Sequence, residues 1–576
     1  MKTKKILLYA LFCLAALASF SACNKDEEEP DPVQPEKTGP LCFTAEQDSS
    51  FVGFFRSAQI PFPDLEYSRD GESWEPFTID SSDSRYINEV MLPKVGDKIY
   101  VRNRGKANTF SISPEKHFQF YLGGFVSASG NLMSLIDKDC NTLEVPCDYA
   151  FYALFANCFR LVSAPELPAT TLTQMCYGGM FYNCNILRKG PSSLPANVLK
   201  PYCYEEMFWG CKKLEQMPTI AATTLASNCF FSAFEGCTSL NKVSALPATT
   251  LADSCYYRMF YGCTSLTTAP ELPATTLANE CYAGMFEQCS SLQKAPKVLP
   301  ATTMKDKCYF LMFSECHQLE IAPELPATDL AYGCYYGMFN RCYNLRQVQE
   351  SLPASTLAED CYGFMFASCS SLTSLPAIEA TTVGYGSCYV MFDSCVSVTQ
   401  YTSPLRATVM DHGCYAYMFA ECWNLATLPE LPATTLAESC YEAMFYGCAA
   451  TRAPRLPATT LASNCYAHMF EECANLNYVE VAFNQWPTES ATTDWLNNVQ
   501  PSGTFVCPAN LPDERGTSRI PAGWTKSTSA KASNMTAAKS SLHRSHPAAK
   551  RFATHPALLK SNSLSIDRNL YRVNGL

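Results

Sequence analysis

One stretch of sequence decides the fold of this chain. It reads Leu246-Pro247-Ala248-Thr249-Thr250-Leu251, then Cys255-Tyr256-Tyr257-Arg258-Met259-Phe260-Tyr261-Gly262-Cys263, and then Ser265-Leu266. The same order of residues returns thirteen times between Ala150 and about Tyr478, and the leading cysteines of successive copies lie 25 to 27 residues apart. A fixed period in this range is typical of solenoids, in which each repeat packs against its neighbours. We therefore expect a solenoid over residues 147–478, with a long surface suited to binding rather than chemistry.

Each copy spaces its apolar residues by four. In one copy they recur at Leu277, Cys281, Met285 and Cys289, and the first three are each followed by a second apolar residue. This spacing indicates one face of a helix. Thr275 or Thr276 would cap the helix at its start. Glycine before the second cysteine would end it in the left-handed conformation, at Gly210, Gly236, Gly262 and Gly447.

The residues after the second cysteine predict a short extended segment. In Ser265–Leu272, the side chains of Leu266, Ala269 and Leu272 would face inward. Proline recurs here, at Pro270, Pro296, Pro323 and Pro454, and since it donates no ladder hydrogen bond the strands should be short and the sheet ragged. One strand and one helix per copy predict an α/β solenoid of about 13 repeats.

The block Met259-Phe260-Tyr261-Gly262-Cys263-Thr264-Ser265-Leu266 resembles the repeat of BspA-like leucine-rich-repeat surface proteins, which reads Ala-Phe-x-x-Cys-x-x-Leu before an apolar segment and a proline. The resemblance covers about 330 residues and recurs in every copy. The copies here are a few residues longer, and they carry cysteine at Cys255 and its equivalents where the family has isoleucine. The helix would then be longer than in the family, or broken into turns.

The segments that flank the repeats predict two caps. Residues 41–146 lack the repeat, and an Asp70-Gly71 turn between alternating apolar arms predicts a hairpin. A second turn within 96–105 and the apolar run from Phe118 predict further strands of a small antiparallel β-domain, which we interpret as a spacer and cap of unknown function. Residues 479–525 predict a closing segment at the other end.

The N-terminus predicts export and lipid attachment. Residues 1–22 combine a basic start with an apolar run and a small-residue exit, which is typical of a signal peptide. Phe20-Ser21-Ala22-Cys23 resembles a bacterial lipobox, with Phe20 in place of the usual leucine, and so predicts lipidation of Cys23. The alternative is an ordinary cleavage site followed by a chance cysteine. A lipidated chain would be held to the membrane by its anchor only.

Residues 23–40 are acidic and proline-rich and predict an extended tether. They also resemble the acidic signal that sends Bacteroidetes lipoproteins to the outer face of the outer membrane, which predicts an outer-membrane protein facing the cell exterior. A generic polar linker is the alternative.

Charge separates the tail from the rest of the chain. Residues 526–576 hold nine Lys or Arg and one acidic residue, and predict a disordered basic tail that is a passive extension. The remainder has 34 basic and 53 acidic residues, a net charge of −19, which argues against nucleic-acid binding by the folded part.

The thirty-one cysteines have three interpretations. Two helical residues eight apart are separated by about 12 Å, and stacked helices by about 8–10 Å, whereas a disulfide needs Cα atoms within about 7 Å. A Cys-x₇-Cys spacing without histidine does not suit zinc. We therefore interpret the repeat cysteines as small buried apolar residues, with disulfides between other pairs, or a metal, as the alternatives.

No catalytic constellation or cofactor motif is present in the sequence, so we predict no enzyme, no catalytic residues, no cofactor and no metal. Neighbouring acids such as Glu205-Glu206 are interpreted as solvated helix faces. The candidate binding residues are aromatic side chains at variable repeat positions, because aromatic residues are favoured interface anchors: Trp209, Tyr257, Tyr261, Tyr336, Tyr343, Tyr417, Trp423 and Tyr446. The alternative is that these rings pack against neighbouring repeats.

The leading hypothesis is a surface adhesin or ligand-capturing protein. The resemblance implies host extracellular-matrix proteins, host cells or other bacteria as partners. A glycan-capture protein, with the same aromatic side chains stacked on sugars, and a structural spacer that binds nothing are the alternatives.

Overall fold

The structure is a computed structural model that describes residues 39–487 and 490–528. The predicted signal peptide, Cys23, the tether up to residue 38 and the tail from residue 529 lie outside the described residues.

Residues 41–129 form the antiparallel β-domain that the sequence predicts. One sheet has the strand order β4-β3-β6-β1-β8 and the other β5-β2-β7. The Asp70-Gly71 hairpin is confirmed, because Tyr67 pairs with Glu75 across it and Gly71 has a φ of +83°. The strands are β1 Leu41–Ala45, β2 Ser50–Arg56, β3 Leu65–Ser68, β4 Glu75–Pro76, β5 Val90–Leu92, β6 Lys98–Asn103, β7 Phe118–Gly123 and β8 Val126–Ser129.

The repeat region is a β-solenoid, and the prediction of an α/β solenoid is wrong. The described residues contain no α-helix, only two short 3₁₀ helices at Leu132–Leu135 and Ser490–Thr492. The strands of the repeats pair in parallel with those of other repeats. They are β9 Ser193–Leu194, β10 Thr219–Ile220, β11 Ser351–Leu352, β12 Thr356–Leu357, β13 Ala377–Ile378, β14 Thr382–Val383, β15 Val409–Met410 and β16 Tyr478–Glu480.

The extended segment of each repeat is as short as its prolines predict. Most of its strands are two residues long, and several repeats are joined only by isolated parallel bridges such as Thr268 to Lys294. Leu266, Ala269 and Leu272 are buried, so their predicted inward orientation is confirmed.

The segment predicted as a helix is instead a ladder of turns with a period of four residues. Gly284 N donates to Phe310 O of the next repeat at 2.7 Å, and Met285 N donates to Tyr282 O of its own turn at 3.2 Å. These two kinds of hydrogen bond alternate along the segment. Every fourth residue is left-handed, with φ values of 53° at Glu280, 59° at Gly284 and 61° at Gln288.

The wrong prediction has a geometric cause. An α-helix turns by about 100° per residue, so residues four apart drift by about 40°, and the drift over twelve residues is about 120°. A strict step of four therefore fits the turn ladder better than the helix. The glycine before the second cysteine is left-handed, as at Gly262 with a φ of 67°, but it continues the ladder instead of ending a helix.

The ladder stacks identical side chains into columns through the core. Two inward residues alternate with two outward residues, so most turns place a tyrosine and a phenylalanine on the aromatic rings of the turn before. The phenylalanine rings from Phe181 to Phe470 stack with centroids 5.1–5.8 Å apart. Aromatic burial of this extent is the main stabilising contribution that the repeats share.

The repeat cysteines are buried thiols, and none of the 29 described cysteines forms a disulfide. Cys289 Sγ donates to Phe260 O of the preceding turn at 3.1 Å. The distance argument from stacked helices was wrong, because neighbouring turns are joined by strand-like hydrogen bonds, such as Tyr256 N to Cys281 O at 3.0 Å. At that spacing of about 4.8 Å, equivalent cysteines lie within the Cα separation that a disulfide needs.

Both ends of the solenoid are covered. The β-domain contacts the first turn, where the rings of Phe120 and Phe155 stack 5.2 Å apart and Val126 bridges Leu161. At the other end, buried Trp495 stacks on Tyr466 of the last turn. Strands β17 Thr504–Cys507 and β18 Thr525–Thr528 continue the parallel sheet of β16. Strand β18 runs three residues past 525, where the sequence places the end of the closing segment.

Candidate binding surface

The outward positions of the turn ladder form one surface, which we call the variable face. It consists of the residues equivalent to Glu280, Ala283, Gly284, Glu287 and Gln288 in every turn. The residues between them, such as Met285, belong to the core and are fully buried. Because each turn is in register with the next, the variable residues form columns along the solenoid. Residues that differ between copies therefore lie next to one another on one surface.

The structure places the eight predicted aromatic residues in two sets. Six lie on the variable face and are partly buried: Trp209, Tyr257, Tyr261, Tyr336, Tyr417 and Tyr446. The other two, Tyr343 and Trp423, follow the ladder by two residues, and 42% and 51% of their surface is exposed.

Several of these rings pack against the neighbouring turn, as the alternative interpretation predicts. Trp209 stacks on Tyr182 with centroids 4.7 Å apart, and Tyr257 stacks on Phe231 at the same distance. Tyr343 stacks on His317 at 5.0 Å. The stacking holds the rings rigidly, so little side-chain entropy would be lost on binding. Whether they contact a partner stays a prediction.

The variable face also carries carboxylates, and the interpretation of Glu205-Glu206 as solvated is wrong. Burial, and to a lesser extent the neighbouring Glu206, raises the pKa of Glu205 to about 8. Burial and Glu235 raise the pKa of Glu206 to about 7. Burial raises the pKa of Asp393 to about 7. Packing against the neighbouring turns keeps water from these carboxyl groups, which destabilises their charged form.

Arginines on this face are already engaged by acids. Arg258 lies 3.6 Å from the Glu287 carboxylate, and Arg341 lies 3.0 Å from Glu315. The remaining acids leave the face with an excess of negative charge. Complementary charge favours a partner with positive charge at the matching positions.

One turn departs from the repeat in register. Cys388 and Cys395 are separated by six residues, whereas the other cysteine pairs of the repeats are separated by seven. Ser387 therefore occupies the leading-cysteine position, as shown by the Tyr362 N to Ser387 O hydrogen bond at 2.8 Å. Cys388 then takes the place of the core tyrosine, and the tyrosine column is interrupted there.

A residue from the extended segment fills the space left in the core by the missing tyrosine. Tyr401 is buried, its ring lies 5.1 Å from that of Phe419, and its hydroxyl donates to Pro376 O at 3.1 Å. This irregular turn was not predicted, although the shorter cysteine spacing is visible in the sequence.

A cavity of about 430 Å³ opens on the variable face beside this turn. Tyr336, Tyr389 and Tyr417 contribute rings to its lining, and Asp360 and Glu442 contribute carboxyl groups. Of these five lining residues, only Tyr336 and Tyr417 were predicted from the sequence to be binding residues.

The repeat sequence matches a known family over much of its length. The description BspA type Leucine rich repeat region applies in six copies to residues 204–346 and 389–489. The repeat region belongs to the BspA-type leucine-rich repeats. BspA-type repeat proteins serve generally in protein interaction or adhesion, and leucine-rich-repeat folds are typically scaffolds without catalytic activity.

Two solved leucine-rich repeat proteins are similar to this BspA-type chain. One, from Bacteroides ovatus ATCC 8483, is 17% identical, with a TM-score of 0.35, over 73% of this chain and 100% of that one. Another, from Eubacterium ventriosum ATCC 27560, is 15% identical, with a TM-score of 0.27, over 49% of this chain and 77% of that one. No curated protein matches the sequence.

The described residues hold neither a metal-binding cluster nor a membrane-spanning helix. Within 39–487 and 490–528, no three His, Cys, Asp or Glu side chains come together so that they could hold a metal ion. In the same part of the chain, no helix has the length and apolar character needed to cross a membrane.

Proposed function

We propose that this chain is a surface lipoprotein whose BspA-type solenoid binds a host or microbial protein through the variable face. The observation that carries the proposal is the continuity of that face. Rigidly stacked rings and desolvated carboxylates lie in register along the solenoid, and such a surface offers a partner large contact area at low entropic cost.

The localisation part of the proposal rests on the N-terminal sequence. A signal peptide over 1–22, lipidation of Cys23 and an acidic tether would place the solenoid on the outer face of the outer membrane. We expect Cys23→Ala to move the chain from the membrane fraction to the soluble fraction. Digestion of intact cells with an added protease should remove the wild-type solenoid, and its protection would contradict exposure at the cell surface.

The binding part of the proposal is tested on arrays. The mature full-length chain is applied to immobilised matrix proteins, host cell-surface proteins and glycans. Trp209→Ala and Tyr261→Ala each remove a candidate ring that lies on the variable face. Each should weaken binding to a protein target at least tenfold, because buried aromatic anchors dominate interface energies.

Ile321→Ala is the matched control, because Ile321 is 54% exposed but belongs to the extended segment and not to the variable face. Equal loss of binding in this variant would contradict the assignment of the face. Binding confined to glycans would favour the glycan-capture alternative. An array without signal would favour the spacer.

A further inference from the structure

The cavity on the variable face exists because two successive turns lack large side chains there. Gly386 of one turn, and Gly413 and Ala416 of the next, contribute to its lining. At the position of Ala416, other turns carry Phe231, Tyr257 or Phe310. No atom lies within 4 Å of the place where a Cβ on Gly413 would sit, so the space above this glycine is open.

Two tyrosine rings at the cavity depart from the parallel stacking seen along the columns. Tyr389 and Tyr417 meet edge to face, with centroids 5.9 Å apart and an interplanar angle of 73°. Tyr385 stacks on His412 at 5.3 Å and forms another part of the lining. A cluster of tyrosines with differing orientations presents both faces and edges of rings to one volume, which suits recognition of a cation by its ring faces.

Two carboxylates complete the lining, and within the described residues neither forms an ion pair with a lysine or an arginine. The Asp360 side chain makes no hydrogen bond or ion pair in the described part of the chain, and it leans over Gly386, where any Cβ would overlap its Oδ1. Glu442 Oε1 accepts a hydrogen bond from the Tyr417 hydroxyl at 3.5 Å. The lining contains no lysine or arginine.

The surroundings of the cavity compensate this negative charge only in part. Burial raises the pKa of Asp360, Glu359 raises it further, and Lys307 opposes the shift. The nearest titratable base in the lining is His412, whose Nδ1 lies 3.8 Å from Glu438. A cation that entered the cavity would therefore supply the countercharge that these acids lack.

We propose that this cavity binds the ammonium or guanidinium group of a lysine or arginine side chain on a partner protein. The inference rests on the proposed function, because the cavity opens on the variable face. A neutral sugar could stack on the tyrosines, but it would leave both carboxylates without an opposite charge. The two unpaired acids therefore favour a cation over a glycan.

The test uses a peptide of alternating lysine and glycine, the same peptide with its lysines acetylated, and the arginine equivalent. Binding to the full-length chain is measured by isothermal titration calorimetry at low and at physiological salt. The lysine or the arginine peptide should bind at least tenfold more tightly than the acetylated peptide. Equal binding of all three would overturn the proposal.

Two kinds of variant localise the binding to the cavity. Ala416→Tyr fills the cavity with the residue that Tyr257 provides at the equivalent position, and should weaken binding at least tenfold. Ala283→Tyr makes the same change in a turn outside the cavity and should have no effect. Asp360→Asn combined with Glu442→Gln should weaken binding without a change of shape, and so remains informative if Ala416→Tyr unfolds.

Nonspecific attraction to the acidic face needs its own control. Glu235→Gln with Glu280→Gln removes two acids of the same face outside the cavity, and should leave peptide binding within twofold. If these variants weaken binding as much as the cavity variants, the proposal is wrong. Cavity-dependent binding of a neutral oligosaccharide instead of the peptides would also overturn it.

Failure of the cavity and failure of the proposed function give different results. If an array target binds equally to wild type and to Ala416→Tyr, the cavity proposal fails while the binding function stands. If no array target binds but the basic peptides bind in a cavity-dependent manner, the cavity proposal stands while the proposed binding function fails.

Discussion

The Cys289 thiol donates a hydrogen bond to the carbonyl oxygen of Phe260 in the preceding turn, across 3.1 Å. Equivalent thiols in neighbouring turns make the same contact, for example Cys263 to Phe234 at 3.2 Å and Cys316 to Phe286 at 3.1 Å. Cysteine at this position is small enough for the core and also donates to a carbonyl of the adjacent turn. The contact explains why a thiol, rather than alanine or valine, occupies the site.

The buried thiols should be free but unreactive in the folded protein. Burial raises the pKa of the Cys289 thiol to about 12, so that almost no thiolate, the reactive form, is present at neutral pH. We expect the 29 cysteines of residues 39–528 to react with a thiol reagent in denaturant without reductant. In the native protein, only the half-buried Cys140 and Cys147 should react at an appreciable rate. A marked deficit of thiols in denaturant would show that disulfides form.

The left-handed positions of the ladder should be sensitive to loss of glycine. Gly262 has a φ of 67°, and a Cβ added there would meet no atom within 4 Å, so Gly262→Ala tests the backbone conformation alone. We expect it to reduce the free energy of unfolding by about 1 kcal/mol. Gly105→Ala is the control, since that glycine also has open space but no positive φ. Equal effects of the two variants in denaturant titration would contradict the ladder geometry.

Buried tyrosine hydroxyls should differ in their contribution to stability. The Tyr256 hydroxyl is buried without a hydrogen-bond partner, and Phe230 occupies the same column one turn earlier. We expect Tyr256→Phe to increase the free energy of unfolding by about 1 kcal/mol. Tyr401→Phe should decrease it by a similar amount, because it removes the hydrogen bond to Pro376 O. Chemical denaturation should show that the change in the free energy of unfolding is positive for Tyr256→Phe and negative for Tyr401→Phe.

The desolvated acids predict that stability decreases as the pH rises. The pKa of Glu206 is raised by burial to about 7 from an ordinary value of 4.5. Between these values the carboxyl is protonated in the folded chain and ionised in the unfolded chain, so its contribution is present below pH 4.5 and is lost as the pH rises through 7. We expect Glu205→Gln combined with Glu206→Gln to reduce the difference in Tm between pH 5 and pH 8. An unchanged difference would contradict the burial of these acids.

The period of the repeat and the sequence resemblance predicted much of the architecture. The 25 to 27 residue step predicted a solenoid, the recurring prolines predicted short strands, and Met259–Leu266 indicated the family. The predicted inward orientation of Leu266, Ala269 and Leu272 was also correct. These features follow from local pattern, because a solenoid repeat contacts mainly its own copies, so that the sequence of one repeat specifies most of its surroundings.

The conformation of the cysteine-to-cysteine segment could not be inferred with the same success. A step of four residues lies close enough to the helical period for a helix to be predicted, and the choice depends on where the backbone hydrogen bonds go. In the folded chain Gly284 N donates to the next turn and not to its own. That bond requires a neighbouring turn in register, and a single repeat considered alone does not supply it.

By itself, the sequence determined that the chain is a repeat protein of this family, which side chains enter the core, and that cysteine recurs in it. Only the tertiary structure decided that the turns form a β-ladder, that Cys289 reaches Phe260, and that Tyr336, Asp360 and Glu442 line one cavity. The physical reason is that stacking of successive turns brings together residues about 26 or more positions apart. Their contacts arise from register between turns, which the one-residue shift at Ser387 alters locally.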